Sequence, residues 1–415
     1  MLSCAYARTS GLGHDAAGGG AKIGGVTIDS HAAAVSAAHE LAAVLAPGVI
    51  QRDRDGAARV PAEALAALDA SGLLAVTIPA ADGGPGLGPA TLAEVTRVIA
   101  AVDPAIAQVP QAHYLLVDVL AVHGDEQTRG ILYGEVRAGR RIGNALAERG
   151  GAHAQDLRTR LSHGRLTGRK YYTTGALTSA WIAVSALDDT GRVVLAFVPR
   201  DAPGVTVDTD WDVIGQRATI SGTATFEDVE APHVLDYAGA YEVPQQLGAR
   251  AQLVHAAIEV GIAGGALRDA RAYLREKARP STEAVRAGAA TAAGDPHVLH
   301  RYGRIASRVR AAEALLGDAA RTLEEVGLVP ASAQEAARGS LAVAAAKAFG
   351  SEVALEAASE LFQMCGTSSA AAKYDLDRHW RNARTHSVHD PLDWKYHHLG
   401  AYELGDVLPP NHGQL

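Results

Sequence analysis

The chain has 415 residues, 48% of them hydrophobic and 20% charged, with a net charge of −8. That length allows about two to three domains with sizeable cores. The acidic balance speaks against a nucleic-acid or anionic-membrane partner, either of which would want a basic face. Two cysteines, Cys4 and Cys365, make neither a disulfide framework nor a Cys-x-x-Cys metal pair, so a reducing, cytoplasmic setting is expected.

Gly, Ala and Ser dominate residues 1–28. No basic start leads into an apolar run there, so a disordered tail is expected rather than a signal peptide. Residues 29–143 read as a helical domain: an Ala-rich amphipathic stretch at 31–45, a Pro-initiated turn at 61–68, and helices from Pro89 and over 112–122. The Gly-rich run 83–88 lacks the spacing and the βαβ setting of a dinucleotide fingerprint and reads as a loop. From Asn144 the pattern changes. Short β-branched runs alternate with turn signals such as Asp188-Asp189-Thr190-Gly191, marking a β-domain over 144–238. Residues 239–415 return to long helices, predicted at 249–277, 297–326 and 332–364 with breaks at Pro280, Pro296 and Pro330. The apolar run 340–362 is interrupted by Lys347, Glu352, Glu356 and Glu360, so it reads as an amphipathic core helix rather than a membrane span.

Residues 377–391, DRHWRNARTHSVHDP, are the densest in chemistry. They contain no Lys or Glu, unlike a solvated helix face. Forked guanidiniums suit a phosphate, a His-x-x-His pair follows, and Pro391 ends the run. The stretch reads as an anion-holding arm leading into a proton-handling loop. The His pair lacks a well-spaced third ligand, so no metal site is expected.

The domain order, with LTGRKYYTTGA at 166–176 and GVTVDTDWDVIGQRATISGTATFEDVEAP at 204–232, resembles the acyl-CoA dehydrogenase family. The fold implied is mostly α with a central β-domain: an N-terminal helical domain, a middle β-barrel and a C-terminal four-helix bundle. RHWRNARTHSVHDPLDWKYHHLG and the LPPNHG tail resemble, more closely, that family's flavin-dependent monooxygenases, including dibenzothiophene monooxygenase and sulfur-scavenging enzymes acting on sulfones and methanesulfinate. By that resemblance Asn144, Thr173, Thr174 and Trp211 line a flavin. Arg279, Arg381, Asn382 and Arg384 hold its phosphate and ribityl chain, and His113, His386 and His389 face its reacting side with Thr174 as catalytic groups. Thr174 stands where dibenzothiophene monooxygenase has Ser, which keeps the hydroxyl and adds a methyl.

The resemblance implies a two-component monooxygenase. A separate NAD(P)H-dependent reductase supplies reduced FMN, O2 adds at flavin C4a, and one oxygen reaches a small organosulfur compound. The absence of an NAD(P)H fingerprint agrees, and histidine titrates where proton handling at neutral pH needs it. Only 5% of residues are aromatic, which favours a small substrate over a tricyclic one. A homotetramer is implied as well. The alternatives are an FAD-dependent acyl-CoA dehydrogenase, with Asp390 as its base; an N- or C-hydroxylating monooxygenase of the same fold; and a non-catalytic scaffold that binds no flavin.

Overall fold

The computed structural model describes residues 28–153 and 156–415. The tail expected over 1–28 therefore lies, apart from Ile28, outside the described residues. Seven helices come first: α1 (His31–Leu45), α2 (Val49–Asp55), α3 (Ala62–Ala70), α4 (Pro89–Ala100), α5 (Pro104–Gln108), α6 (Gln111–His123) and α7 (Glu126–Arg137). Their starts follow the local chemistry. Ser30 Oγ accepts the Ala33 N–H at the head of α1, Pro89 opens α4, and Asp103 caps the Pro104 turn.

Eight strands follow: β1 (Ile142–Ala145), β2 (Arg160–Ser162), β3 (Arg165–Lys170), β4 (Trp181–Leu187), β5 (Val193–Pro199), β6 (Val205–Val207), β7 (Ala224–Glu230) and β8 (His233–Asp236). They form one mixed sheet in the order β6-β7-β3-β2-β4-β5-β8, with β1 laid parallel on the first half of β4. Ile182, Val184, Val198 and Phe226 fill the interior of this domain and its flank.

The chain closes with α8 (Leu247–Glu276), α9 (Thr282–Arg286), α10 (Pro296–Val326), α11 (Ala333–Cys365), α12 (Arg378–Ser387) and α13 (Leu392–Gly405). Pro296 starts α10 rather than merely separating two helices, and Asp295 caps it. Helices α8, α10 and α11 form the bundle, and α8 also lies along α4 and α6. The α8–α4 approach is close: a Cβ on Gly265 would strike the Ala101 carbonyl oxygen. One hydrophobic core therefore runs from the N-terminal helices into the bundle, while the sheet holds a second. Two stretches, His31–Ala58 and Pro104–His123, have the length and hydropathy of a membrane span; Pro104–His123 lies mostly inside this core.

Candidate active site

Helix α12 sits between the bundle and the β-domain. Its buried residues, Arg378, His379, Asn382, Ala383, His386 and Ser387, recur at helical spacing and make a single face. Gly215 of the β-domain lies flush against it, since a Cβ there would strike the Arg381 carbonyl oxygen and the Asn382 nitrogen. Beside that contact the Gln216 N–H donates to Asn382 Oδ1 at 2.5 Å.

Gln216 ties this region together. Its backbone is left-handed, with φ 54°, and it is 1% exposed. Its carbonyl accepts the Trp211 indole N–H at 3.0 Å and the Thr219 hydroxyl at 2.9 Å. From Thr219 a chain of hydroxyls runs outward: Ser221 Oγ donates to Thr219 at 2.9 Å and lies 2.7 Å from Thr174 Oγ1. Thr173 donates to the Gly222 carbonyl at 2.8 Å. Asn144, on β1, donates its N–H to the Thr174 carbonyl and receives the Leu146 N–H on Oδ1. The structure thus brings Asn144, Thr173, Thr174 and Trp211 onto one linked framework. Both amide atoms of the Gln216 side chain are buried without a partner.

The arginines divide. Arg381 contacts Asp53 and Asp377 at 2.7 Å, Asp375 at 3.1 Å and the Ile214 carbonyl at 3.2 Å. Three carboxylates surround this guanidinium, and Arg54 and Arg217 line the same cleft. Arg381 clamps α2 to α12 through Asp53 and Asp377. Burial and then Asp53 push the Asp375 carboxyl up to about 6. Asn382, likewise expected on the cofactor, has its oxygen committed to Gln216. Arg384 and Arg279 are exposed, and neither guanidinium has a protein partner among the described residues. Arg279 follows the far end of α8, about 25–30 Å along that helix from Glu259 at 1.5 Å per residue.

His113 is held by backbone groups. It is 1% exposed, with Nε2 3.0 Å from the Leu74 carbonyl and Nδ1 accepting the Ile142 N–H at 3.1 Å. Both ring nitrogens bond backbone, which pins α6 to β1. Burial pushes its pKa down to about 4.

The remaining histidines form an array that was half visible in the sequence. His386 Nδ1 lies 2.8 Å from Glu259 Oε1, and His386 Nε2 lies 3.0 Å from His255 Nδ1. The His255 ring sits 4.1 Å from that of His389, tilted by 33°. Glu259 and His386 side chains are shut off from solvent, whereas His389 is exposed. Behind them Lys347 is ion-paired with Asp390 and donates to Gln252 Oε1 at 2.6 Å, while Lys395 reaches Asp390 at 3.0 Å. Burial, then His389 and the Lys347 ammonium, hold His255 well below the usual imidazole range. Burial also brings Lys347 down to about 8. Two ammoniums hold Asp390 below the carboxylate range despite its burial. His255, Glu259, Lys347 and Gln216 were not anticipated. For His255 and Glu259 the signal was a His and a Glu four residues apart in the otherwise apolar run LVHAAIEVGIA.

A flat, polar ring system needs an aromatic wall, hydrogen-bonding groups at its edge and a free cation for its phosphate. Trp211, the Thr174 hydroxyl, the unpartnered Gln216 amide and the free Arg384 match those needs, so the residues present fit a flavin mononucleotide.

Comparison with known proteins agrees. Three domain profiles of one family match in chain order: acyl-CoA dehydrogenase N-terminal domain over 27–136, middle domain over 145–229 and C-terminal domain over 253–394. A probable FMNH2-dependent monooxygenase, SfnC of Pseudomonas putida, is 34% identical over 390 residues, covering 91% of this chain and 96% of the relative. The FMN-bound crystal structure of TdsC, a dibenzothiophene monooxygenase from Paenibacillus sp. A11-2, superposes with a TM-score of 0.86 at 29% identity, covering 92% of this chain and 100% of TdsC. Methanesulfinate monooxygenase MsuC of Pseudomonas fluorescens gives 0.83 at 32% identity, covering 92% and 99%. The chain belongs to the acyl-CoA dehydrogenase family. These relatives set it among the FMN-dependent monooxygenases of that family.

Proposed function

We infer that the chain is the oxygenase of a two-component system. It takes reduced FMN from a separate NAD(P)H-dependent flavin reductase and, with O2, oxygenates the sulfur of a small organosulfur compound. The observation that carries this reading is the histidine array on α8 and α12, set beside an Asp390 that two ammoniums neutralise. A dehydrogenase of this fold needs a free carboxylate to remove an α-proton. Asp390 is buried, ion-paired and held ionised, so it is a poor base.

When bound, reduced FMN supplies the electrons that divide O2 between substrate and water. The protein's share is placement, protons and dryness. Trp211, fixed by its bond to Gln216, walls the ring. Thr174, held by Ser221, offers a hydroxyl at its edge. Arg384, and Arg279 from a neighbouring copy, hold the phosphate. His389, the solvent-facing ring of the array, has its pKa pushed down to about 3 by burial and the Lys347 ammonium, so it handles protons at the substrate side as a neutral imidazole.

Sulfur chemistry is favoured by the resemblance to SfnC, TdsC and MsuC, whose names include methanesulfinate and dibenzothiophene monooxygenases. The few aromatic residues favour the smaller compounds. A cytoplasmic homotetramer suits the far placement of Arg279 and the exposed Trp394, Tyr396 and Leu404 of α13.

The test is anaerobic titration of the purified chain with reduced FMN, followed by an acyl-CoA panel on oxidised flavin. Binding of reduced FMN without bleaching by acyl-CoA supports the assignment. Bleaching would instead mark a dehydrogenase, and a flat titration a scaffold.

A further inference from the structure

We propose that Glu259 is the proton store at the inner end of a relay running through His386 to His255, beside the exposed His389. The relay serves the oxygenation reading, but its existence rests on geometry alone.

Hydrogen-bond chemistry gives the array a direction. An ionised carboxylate only accepts, so the 2.8 Å contact puts a proton on His386 Nδ1. Neutral His386 then accepts at Nε2, and the 3.0 Å contact puts a proton on His255 Nδ1. Every donor faces inward toward Glu259. His255 Nε2 is the open end, with no hydrogen bond to protein among the described residues, and the His389 ring packs on the His255 ring with centroids 4.1 Å apart.

The transfer balances atom by atom. A proton bonds to His255 Nε2. The proton on His255 Nδ1 passes to His386 Nε2, and the one on His386 Nδ1 passes to Glu259 Oε1. Both rings end neutral in the opposite tautomer, and the carboxylate becomes a carboxylic acid. No heavy atom has to move. The reverse sequence returns one proton to the cleft, the number that oxygenation consumes when the reduced cofactor is bound as its anion.

Glu259 is built for storage. Its side chain is shut off from solvent, and Oε2 has no hydrogen-bond partner. Such an ionised oxygen is costly to bury, so taking up a proton relieves it. Charged groups lie close behind it. Lys347 from α11 and Lys395 from α13 face Asp390. Two ammoniums against one carboxylate leave a single positive charge, which ionised Glu259 balances. Ser351, one turn beyond Lys347 on α11, adds a buried hydroxyl without a partner. His386 faces Glu259 from α12, and His389 lies in the turn that follows.

Glu259→Gln separates relay from orientation, because the amide oxygen still accepts the His386 N–H but cannot take the proton. The cofactor-free protein gives the direct readout. On acidification the wild type should gain an infrared band of a buried protonated carboxyl, absent from E259Q. Ring-15N NMR of the wild type should show His255 and His386 exchanging tautomers in one shared step. Coupled oxygenation in E259Q should fall at least about 100-fold, the usual scale of general acid–base loss, with more H2O2 released and reduced-FMN affinity kept. A wild type without the band, a band that survives in E259Q, or two rings titrating independently would overturn the relay. Both spectra are taken without flavin, so a relay that is present in a chain that binds no FMN would count against the oxygenase reading and not against the relay. The wild-type NMR decides even where E259Q does not fold.

Discussion

Asn382 Oδ1 accepts the Gln216 N–H at 2.5 Å, and through that bond α12 is fastened to the loop that carries Trp211. Asn382 and His386 are successive turns of one helical face, about 6 Å apart along the axis. The His386 end of α12 is therefore indexed to the β-domain through Asn382. Asn382→Leu should leave the Gln216 N–H buried and unpaired, at a cost of about 1–3 kcal/mol. Urea unfolding should show that loss, together with weaker reduced-FMN binding. Unchanged values for both would remove Asn382 from this linkage.

The buried Lys347 gives the alkaline stability of the protein a defined sign. Lysine titrates near 10.5 by default and near 8 in this fold. Between those values the unfolded chain holds more protons than the folded one, so stability rises with pH across the window. Lys395, also lowered, acts in the same direction. Buried Tyr114 and Tyr133 act the opposite way once tyrosine ionises in the unfolded chain, so the useful scan ends below about pH 10. Wild-type denaturant midpoints should climb from pH 8 toward that limit, and Lys347→Met should flatten the climb. Asp390→Asn should destabilise more than Lys347→Met, because it leaves two buried ammoniums facing each other.

His113 should behave as a structural tie. His113→Leu orphans the Leu74 carbonyl and the Ile142 N–H, which should cost a few kcal/mol. Oxygenation per folded molecule should stay within a few-fold of wild type. The acid side adds a second check. His113 has its pKa near 4 in the fold against 6.5 by default, so the unfolded chain binds more protons between those values and stability falls as pH drops from 6.5 to 4. The Asp375 carboxyl, raised to about 6, acts in the opposite direction in both proteins, so the wild-type-minus-variant difference isolates His113.

The three arginines should separate by role. Arg381→Ala should lower stability, since Asp53 and Asp375 lose their shared cation, while affinity for reduced FMN changes little beyond that. Arg384→Ala and Arg279→Ala should weaken FMN binding about tenfold or more and leave unfolding nearly unchanged, as expected for lost charge-assisted phosphate bonds. Fluorescence titration beside urea melts distinguishes the two patterns. Tight FMN binding by the Arg279 variant would refute its cross-subunit role.

His389→Ala should reduce oxygen transfer and raise H2O2 release, because the exposed end of the array is lost while Glu259, His386 and His255 stay in place. A peroxidase-coupled assay beside product analysis measures the split. Normal coupling in the variant would reject His389 as the outer proton-handling group.

The long helices were legible because Ala, Leu and Val repeat at helical spacing. Stretches predicted at 249–277, 297–326 and 332–364 appear as Leu247–Glu276, Pro296–Val326 and Ala333–Cys365. The switch to strands near Asn144 was legible for the same reason, with period two replacing 3.6. The parallel placement of β1 on β4 was not, because nothing local encodes which distant strand it joins. The setting of the arginine run was legible only in part. Asp375 and Asp377 stand beside Arg381 in sequence, but Asp53 reaches it from 328 positions away. A lone His or Glu inside an apolar helix reads as a satisfied core residue, so His255 and Glu259 emerged only once α12 lay across α8. Lys347 showed in the sequence only as a break in an apolar run, and its pairing with Asp390 came from the fold.

The central claim is oxygen transfer from O2 to sulfur by this chain with reduced FMN. It is tested most directly by supplying the purified protein with FMN, NADH, a flavin reductase and 18O2, then examining methanesulfinate, small sulfones, thiophenes and amines by mass spectrometry. The account predicts one 18O atom in the product of a small organosulfur compound, and only when both FMN and the reductase are present. Label found solely in amine products, or none beyond that of the reductase alone, would contradict it.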